Sequence, residues 1–270
     1  KDDIDVLILC GGSKSDLPEQ GPALAGLFNI VDSFDTHAKI PEYFAALDTP
    51  AKKANKVAML SVGWDPGLFS INRLYGEAIL PVGETYTFWG KGLSQGHSDA
   101  VRRGDGVKSG VQYTIPSESA MEKVRNGEQP TLSTREKHTR ECYIVLADGA
   151  DSDSVRNTIV TMPDYFADYD TTVHFIDEQT FERDHQKMPH GGFVIRSGVS
   201  GMDNAQNNQV LEFSLKLGSN PEFTASVLVA YARAAYKMNQ AGENGAKTVL
   251  DVAPSLLSPK TPAQLRKELL

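Results

Sequence analysis

Three short stretches of this chain follow apolar, β-branched segments and carry side chains able to do chemistry: Cys10-Gly11-Gly12-Ser13, Asp32-Ser33-Phe34-Asp35 and Gly63-Trp64-Asp65-Pro66-Gly67. If the preceding segments are parallel strands, all three turns leave the sheet at its carboxyl edge, where sheets of this kind bind ligands. Asp35 and Asp65 then approach one crevice, and two carboxylates facing a pocket suit an ammonium group. The same two residues also read as a helix cap and a turn opener, places where Asp is ordinarily favoured.

Other candidates are anion-directed. Gly90-Lys91-Gly92-Leu93-Ser94-Gln95-Gly96-His97-Ser98-Asp99 could present glycine N–H groups to an anion ahead of a helix, or be a plain connection; the Walker spacing is absent. Lys137-His138-Thr139-Arg140 could hold an anion through a bidentate Arg140, or be a solvated charge run. His190, in Met188-Pro189-His190-Gly191-Gly192, could donate to a carboxylate or be structural. No Ser-His-Asp order, nucleophile elbow or zinc-ligand spacing is present, so no metal is expected.

The elements that must position these residues follow from periodicity. Ile4–Cys10, Asn29–Asp32 and Val57–Val62 read as buried strands, and Asp16–Phe28 and Ile40–Ala54 read as helices between them. Strand, helix, strand, helix, strand is half of a doubly wound sheet. Beyond Gly67 the pattern changes to alternating segments: Tyr86–Trp89, Val111–Ile115, Glu141–Leu146, Thr171–Ile176, Gly192–Arg196 and Val210–Leu217, expected to form a second, mixed sheet. Helices are expected at Glu118–Asn126, Ser152–Met162 and Pro221–Gln240, the last opened by Asn220-Pro221. Gly198–Asn208, rich in Gly and Asn, reads as a hairpin loop. The expected division is a dinucleotide-binding remainder over 1–66, joined by 245–270, and a substrate-binding and dimerisation domain over 67–244.

Composition narrows the partners. A net charge of −8 argues against a broad basic face, so nucleic acid and anionic membrane are not expected partners. No apolar run approaches the ~20 residues of a bilayer span, and the two cysteines, Cys10 and Cys142, stand in no paired motif. A cytoplasmic location is the expectation.

Taken together, these segments resemble one family, the meso-diaminopimelate dehydrogenases. The resemblance rests on Leu9–Ser13, Val31–Asp35, Ser61–Ser70, Phe88–Gly90, Gly92–Asp99, Met188–Gly192 and Asn220–Ser226, spread along the whole chain. It implies a partial Rossmann-type doubly wound parallel sheet plus an α+β domain, with NADP as cofactor. The implied reaction is oxidative deamination of the D-centre of meso-2,6-diaminopimelate to L-2-amino-6-oxopimelate (tetrahydrodipicolinate) and ammonia, in diaminopimelate and lysine biosynthesis, by a homodimer. The family opens with a strand and a G-x-G-x-x-G turn; the resemblance implies that these, roughly its first fifty to sixty residues, are absent here.

Carried over by position, Asp35 and Asp65 resemble the carboxylates that orient the reacting amine. Trp89, Gln95, Gly96, Thr114, Arg140, His190 and Asn220 resemble the other substrate contacts, with Arg140, Thr114 and His190 directed at the distal carboxylate. Cofactor contacts are implied at Cys10, Gly11, Gly12 and Ser13, at Ser33, Phe34 and Asp35, and at Val62, Gly63, Trp64, Asp65 and Pro66. Two alternatives stay open: a broad D-amino-acid dehydrogenase on the same scaffold, and an inactive, truncated binding protein.

Overall fold

The structure, a computed structural model, describes residues 3–202 and 205–270. In chain order the first elements are β1 (Val6–Leu9), α1 (Leu17–Ala25), β2 (Asn29–Asp32), α2 (Ile40–Lys53), β3 (Val57–Met59) and α3 (Leu68–Ile79). There follow β4 (Gly83–Trp89), β5 (Gly92–Leu93), α4 (Gln95–Arg102), β6 (Val107–Pro116), α5 (Glu118–Arg125), α6 (Thr134–Lys137), β7 (His138–Leu146) and α7 (Ser152–Val160). The rest are β8 (Asp170–Phe175), α8 (Glu178–Asp184), β9 (His190–Ser200), β10 (Asn207–Leu217), α9 (Asn220–Gln240), β11 (Gly245–Lys247), α10 (Pro254–Leu257) and α11 (Pro262–Leu269).

Residues up to Asn72 together with Glu222–Leu270 form one compact unit, and Arg73–Pro221 form the other. The first unit is a wholly parallel sheet in the order β1-β2-β3-β11. Every residue of β2 and β3 is buried, as expected of strands covered on both faces. One face packs on α1 and α2 through Leu17, Ala25, Tyr43, Leu47 and Ala51. The other packs on α9 through Val227, Leu228, Tyr231, Ala235 and Met238. The sequence expectation put α9 in the second domain; the structure seats it under β2 and β3, because its buried residues recur at helical spacing and meet Val31, Val57 and Met59. Among the described residues β1 pairs on one side only, with β2, and Ile8 is correspondingly exposed.

The second unit carries two sheets where one mixed sheet was expected. The antiparallel sheet β10-β9-β4 runs Asn207 opposite Ser200 to Leu217 opposite His190; residues 203 and 204 of the expected hairpin loop lie outside the described residues. The other sheet, β5-β6-β7-β8, is mixed: β5, β6 and β7 are antiparallel, while β8 runs parallel to β7. That parallel pairing requires a crossover, supplied by α7, whose Val155 and Ile159 bury against Cys142, Ile144 and Val173.

Candidate functional site

At the carboxyl edge of the parallel sheet the three anticipated turns are fastened to one another. Asp32, fully buried at the end of β2, accepts hydrogen bonds from Phe34 N–H (3.0 Å), Ser61 N–H (3.2 Å) and the Tyr43 hydroxyl (2.8 Å). One carboxylate therefore fixes the turn after β2 to the turn after β3. Burial pushes its pKa up and the three hydrogen bonds pull against that, while the Tyr43 phenol is held protonated by burial and by the adjacent carboxylate. Ser13 Oγ accepts from Asp35 N–H (3.1 Å), tying the turn after β1 to the same group.

Asp35 is exposed and Asp65 half-exposed on these turns. Gly11, Gly12 and Ser13 form a tight bend in which Gly12 C=O accepts from Asp16 N–H (2.9 Å) and Leu17 N–H (3.1 Å). Phe34 is stacked on Tyr43 with ring centroids 4.2 Å apart, and Val62 and Trp64 point into the core, so those three offer a ligand their backbone rather than their side chains. Small residues and peptide groups at a parallel-sheet edge fit the flat nicotinamide ring of a dinucleotide.

In the second unit, strand alternation collects polar side chains on one face of the β5–β8 sheet. Thr114, Arg140 and Thr171 stand in register across β6, β7 and β8, and Gln112, His138 and Cys142, two residues away along their strands, share their face. Arg140 is only 6 % exposed. Its Nη1 donates to Thr114 Oγ1, and its guanidinium lies over the Tyr169 ring, 3.9 Å from the centroid. Its Nε has no hydrogen-bond partner; burial lowers its pKa against the opposing pull of the Tyr169 phenol and the Cys142 thiol, and no carboxylate is among the groups that hold it charged. A buried guanidinium without a carboxylate is costly unless a ligand supplies one.

Arg140 is felt by three imidazoles. Its charge, after burial, lowers the pKa of His97 to about 4 and of His138 to about 3, and that of His190 falls for the same reasons. All three rings are therefore neutral at physiological pH. His138 Nε2 accepts from Trp89 N–H (2.8 Å), which leaves its proton on Nδ1, and the two rings stack at 5.3 Å. His190 Nδ1 accepts from Gly191 N–H (2.8 Å), and His97 Nδ1 pairs with Ser94 Oγ (2.8 Å).

The 90–96 loop meets this cluster closely. Gly90 has φ of +108°, and its N–H bonds Gly191 C=O (2.8 Å); a Cβ on Gly92 would run into Cα of His190. Gln95 Nε2 reaches Met188 Sδ (3.4 Å), Met188 C=O accepts from Asn220 N–H (2.9 Å), and Gly96 faces open space at the start of α4. Trp89 is 38 % exposed.

The structure thus joins Thr114 directly to Arg140, sets His190 beside the same charge, and links Gln95 to Asn220 through Met188. The sequence reading missed Asp32, His138, Tyr169 and Thr171 as parts of these arrangements. For His138 a signal existed, since alternation puts it on the face of Arg140; Tyr169 lies in the irregular stretch after α7 and gave none. Among the described residues no cluster of His, Cys, Asp and Glu is placed to hold a metal, and no helix is long and apolar enough to cross a membrane.

Fold and site define an α/β protein with a ligand edge of the dinucleotide-binding kind and a separate unit that buries an arginine whose Nε has no partner. Residues 63–219 match the model of the diaminopimelic acid dehydrogenase C-terminal domain. The chain is 68 % identical over 270 residues to a meso-diaminopimelate D-dehydrogenase of Lysinibacillus sphaericus, covering 100 % of this chain and 82 % of that protein. It superposes on Corynebacterium glutamicum DAP dehydrogenase in complex with DAP with a TM-score of 0.91 at 50 % identity, covering all of this chain and 82 % of that one. An engineered D-amino acid dehydrogenase bound to NADP+ gives a TM-score of 0.84 at 48 % identity, over 100 % and 83 %. The chain belongs to the meso-diaminopimelate dehydrogenase family.

Proposed function

We infer that this protein is an NADP-dependent meso-diaminopimelate D-dehydrogenase, which oxidatively deaminates the D-centre of its substrate to L-2-amino-6-oxopimelate and ammonia. One observation on the chain itself supports this most: Arg140 is buried, bonded to Thr114, and without a partner at Nε, as a receptor for a substrate carboxylate should be. In the overall reaction the Cα–H electron pair leaves as hydride, the nitrogen gives up a proton, water adds to the carbon and ammonia departs. NADP, when bound, supplies the hydride acceptor.

The residues do the orienting. Asp35 and Asp65 accept hydrogen bonds from the D-amino group, and one of them takes its proton; as neighbouring carboxylates they act as a pair. Arg140, Thr114 and His190 bind the distal carboxylate. Trp89, Gln95, Gly96 and Asn220 complete the substrate contacts. The backbone and small side chains of 10–13, 33–35 and 62–66 hold the nicotinamide end of the cofactor. An unpartnered buried guanidinium favours this reading over a broad D-amino-acid dehydrogenase, whose substrates lack a second carboxylate.

The same proposal includes a homodimer in the cytoplasm. Leu74, Tyr75 and Ile79 form an exposed apolar stripe on α3, continued by Val82, and both cysteines are free thiols. Sedimentation of the purified chain is expected to give twice the monomer mass. For the activity itself, NADP reduction is expected with meso-diaminopimelate and not with the L,L isomer. Asp65→Asn should lower turnover ten- to a hundredfold, since a charge-assisted hydrogen bond contributes about 1.5 to 3 kcal/mol. An Asp65→Asn protein with unchanged kinetics would remove Asp65 from the amine site.

A further inference from the structure

Arg140 has one guanidinium and several neighbours, and each neighbour occupies a different part of it. Thr114 Oγ1 takes Nη1 at one corner. The Tyr169 ring, 3.9 Å from centroid to guanidinium carbon, covers a face, and its hydroxyl helps to keep the group charged through a side-chain hydrogen bond. What remains is the edge carrying Nε, which has no partner. A carboxylate bound side-on uses that edge, with two parallel N–H···O bonds that require the guanidinium plane to be fixed. A hydroxyl at one corner cannot fix a plane by itself, because the group can still turn about that single bond. A ring lying over the face can.

We propose that Tyr169 is a positioning residue for substrate specificity: by holding the plane of the Arg140 guanidinium, it presents the Nε edge to the distal carboxylate. The inference rests on the reading of Arg140 as the carboxylate receptor. Tyr169 comes from the segment between α7 and β8, and its N–H bonds Phe166 C=O (2.9 Å). Phe166 is fully buried in the cluster formed with α7 and β7. The backbone that carries the ring is therefore tied to the core, and the side chain itself is half-buried.

The test uses the full chain, two substrates and three variants. Binding of meso-diaminopimelate is measured by titration calorimetry, and turnover is measured with meso-diaminopimelate and with D-alanine, which has no distal carboxylate. Tyr169→Leu, which removes the ring, is expected to weaken diaminopimelate binding and raise its KM about tenfold. Its kcat on diaminopimelate and its kcat/KM on D-alanine should stay within about twofold of the parent. Tyr169→Phe keeps the ring and should restore the parent KM. Equal losses on both substrates, or a Tyr169→Leu protein with parental KM, would overturn the proposal. Arg140→Leu separates the two levels: if it fails to discriminate between the substrates, the reading of Arg140 itself falls. If it discriminates and Tyr169→Leu does not, only the role of Tyr169 falls. Tyr169→Phe folds with the same core anchor, so a poorly folding Tyr169→Leu still leaves one decisive result: a Tyr169→Phe protein whose KM departs from the parent by the full tenfold refutes the ring's role.

Discussion

The two faces of the β5–β8 sheet are built from the same strands and treat their polar atoms in opposite ways. On one face Arg140 Nε, Gln112 Oε1 and Thr171 Oγ1 are buried and have no hydrogen-bond partner. On the other, Tyr113 Oη pairs with His185 Nδ1 (2.9 Å), Tyr143 Oη donates to Glu141 (3.1 Å), and the Tyr143 ring lies between His174 (4.8 Å) and His185 (4.3 Å). Native interiors satisfy nearly all buried polar groups, so a face left short of partners is the one we propose the substrate completes. The satisfied face packs α8 through Phe181 and His185 and has the character of a stabilising surface. Alternation along one strand thus separates the residues proposed for recognition from those that stabilise, residue by residue.

The largest expected effect breaks the recognition face. Arg140→Leu should lower kcat/KM for meso-diaminopimelate by about 3 kcal/mol, on the order of a hundredfold, because truncating a buried charge partner costs 2 to 5 kcal/mol. The same variant should melt no lower than the parent, since it removes a desolvated charge that the unliganded protein leaves without a carboxylate. Loss of activity together with a large loss of stability would make Arg140 a structural residue.

The converse experiment breaks the satisfied face. Tyr143→Ala removes a ring in contact with Tyr113, His174 and His185 and should cost about 2 to 3 kcal/mol in stability. Denaturant titration measures that loss. Below the melting temperature the KM for diaminopimelate should be that of the parent; a KM raised in proportion would show that the two faces are coupled.

How far these arrangements can be read from the sequence differs between the regions. The placement of Asp35 and Asp65 on turns at the sheet edge is legible because parallel strands must all end at one edge, and apolar runs followed by Gly or Asp mark those ends. Asp32 sits in the same motif, yet its role as the clasp between turns depends on Tyr43 and Ser61, eleven and twenty-nine residues away. Arg140 was visible but ambiguous, since Lys137-His138-Thr139-Arg140 looks like a solvated charge run until the strand's buried face is known. The split of the second unit into two sheets left no local signal: short alternating segments announce strands, not partners. For α9 the pattern predicts a helix, while the choice of sheet it covers is tertiary.

A smaller effect sharpens the contrast through pH. In the unfolded chain a histidine titrates near 6.5, whereas His138 is held at about 3 and His97 at about 4, by burial first and then by Arg140. Below pH 6.5 the unfolded state therefore takes up protons that the folded state refuses, so stability present above 6.5 is lost as pH falls towards 4 and 3. By pH 5 each ring should account for about 2 kcal/mol of that loss. Unfolding free energies measured at pH 7 and pH 5 are expected to differ less in His138→Phe than in the parent. Parallel pH dependences in the two proteins would contradict a neutral, buried His138.

The smallest effect compares two threonines of one cross-strand row, Thr114 and Thr171, which flank Arg140 on either side. Valine has nearly the shape of threonine, so the exchange tests the hydroxyl and little else. At Thr171 the hydroxyl is buried without a partner, and replacing an unpaired polar atom by a methyl group should stabilise the protein by about 1 kcal/mol. At Thr114 the hydroxyl accepts from Arg140 Nη1, and its loss strands a second guanidinium donor beside the unpaired Nε. Thr114→Val should therefore destabilise by about 1 kcal/mol, the cost of a buried donor left unmatched. Opposite shifts in melting temperature from the same chemical change, one strand apart on each side of Arg140, follow only if the hydrogen-bond ledger of this face is as described. Shifts of the same sign would mean that Thr171 has a partner in solution, or that Arg140 does not depend on Thr114.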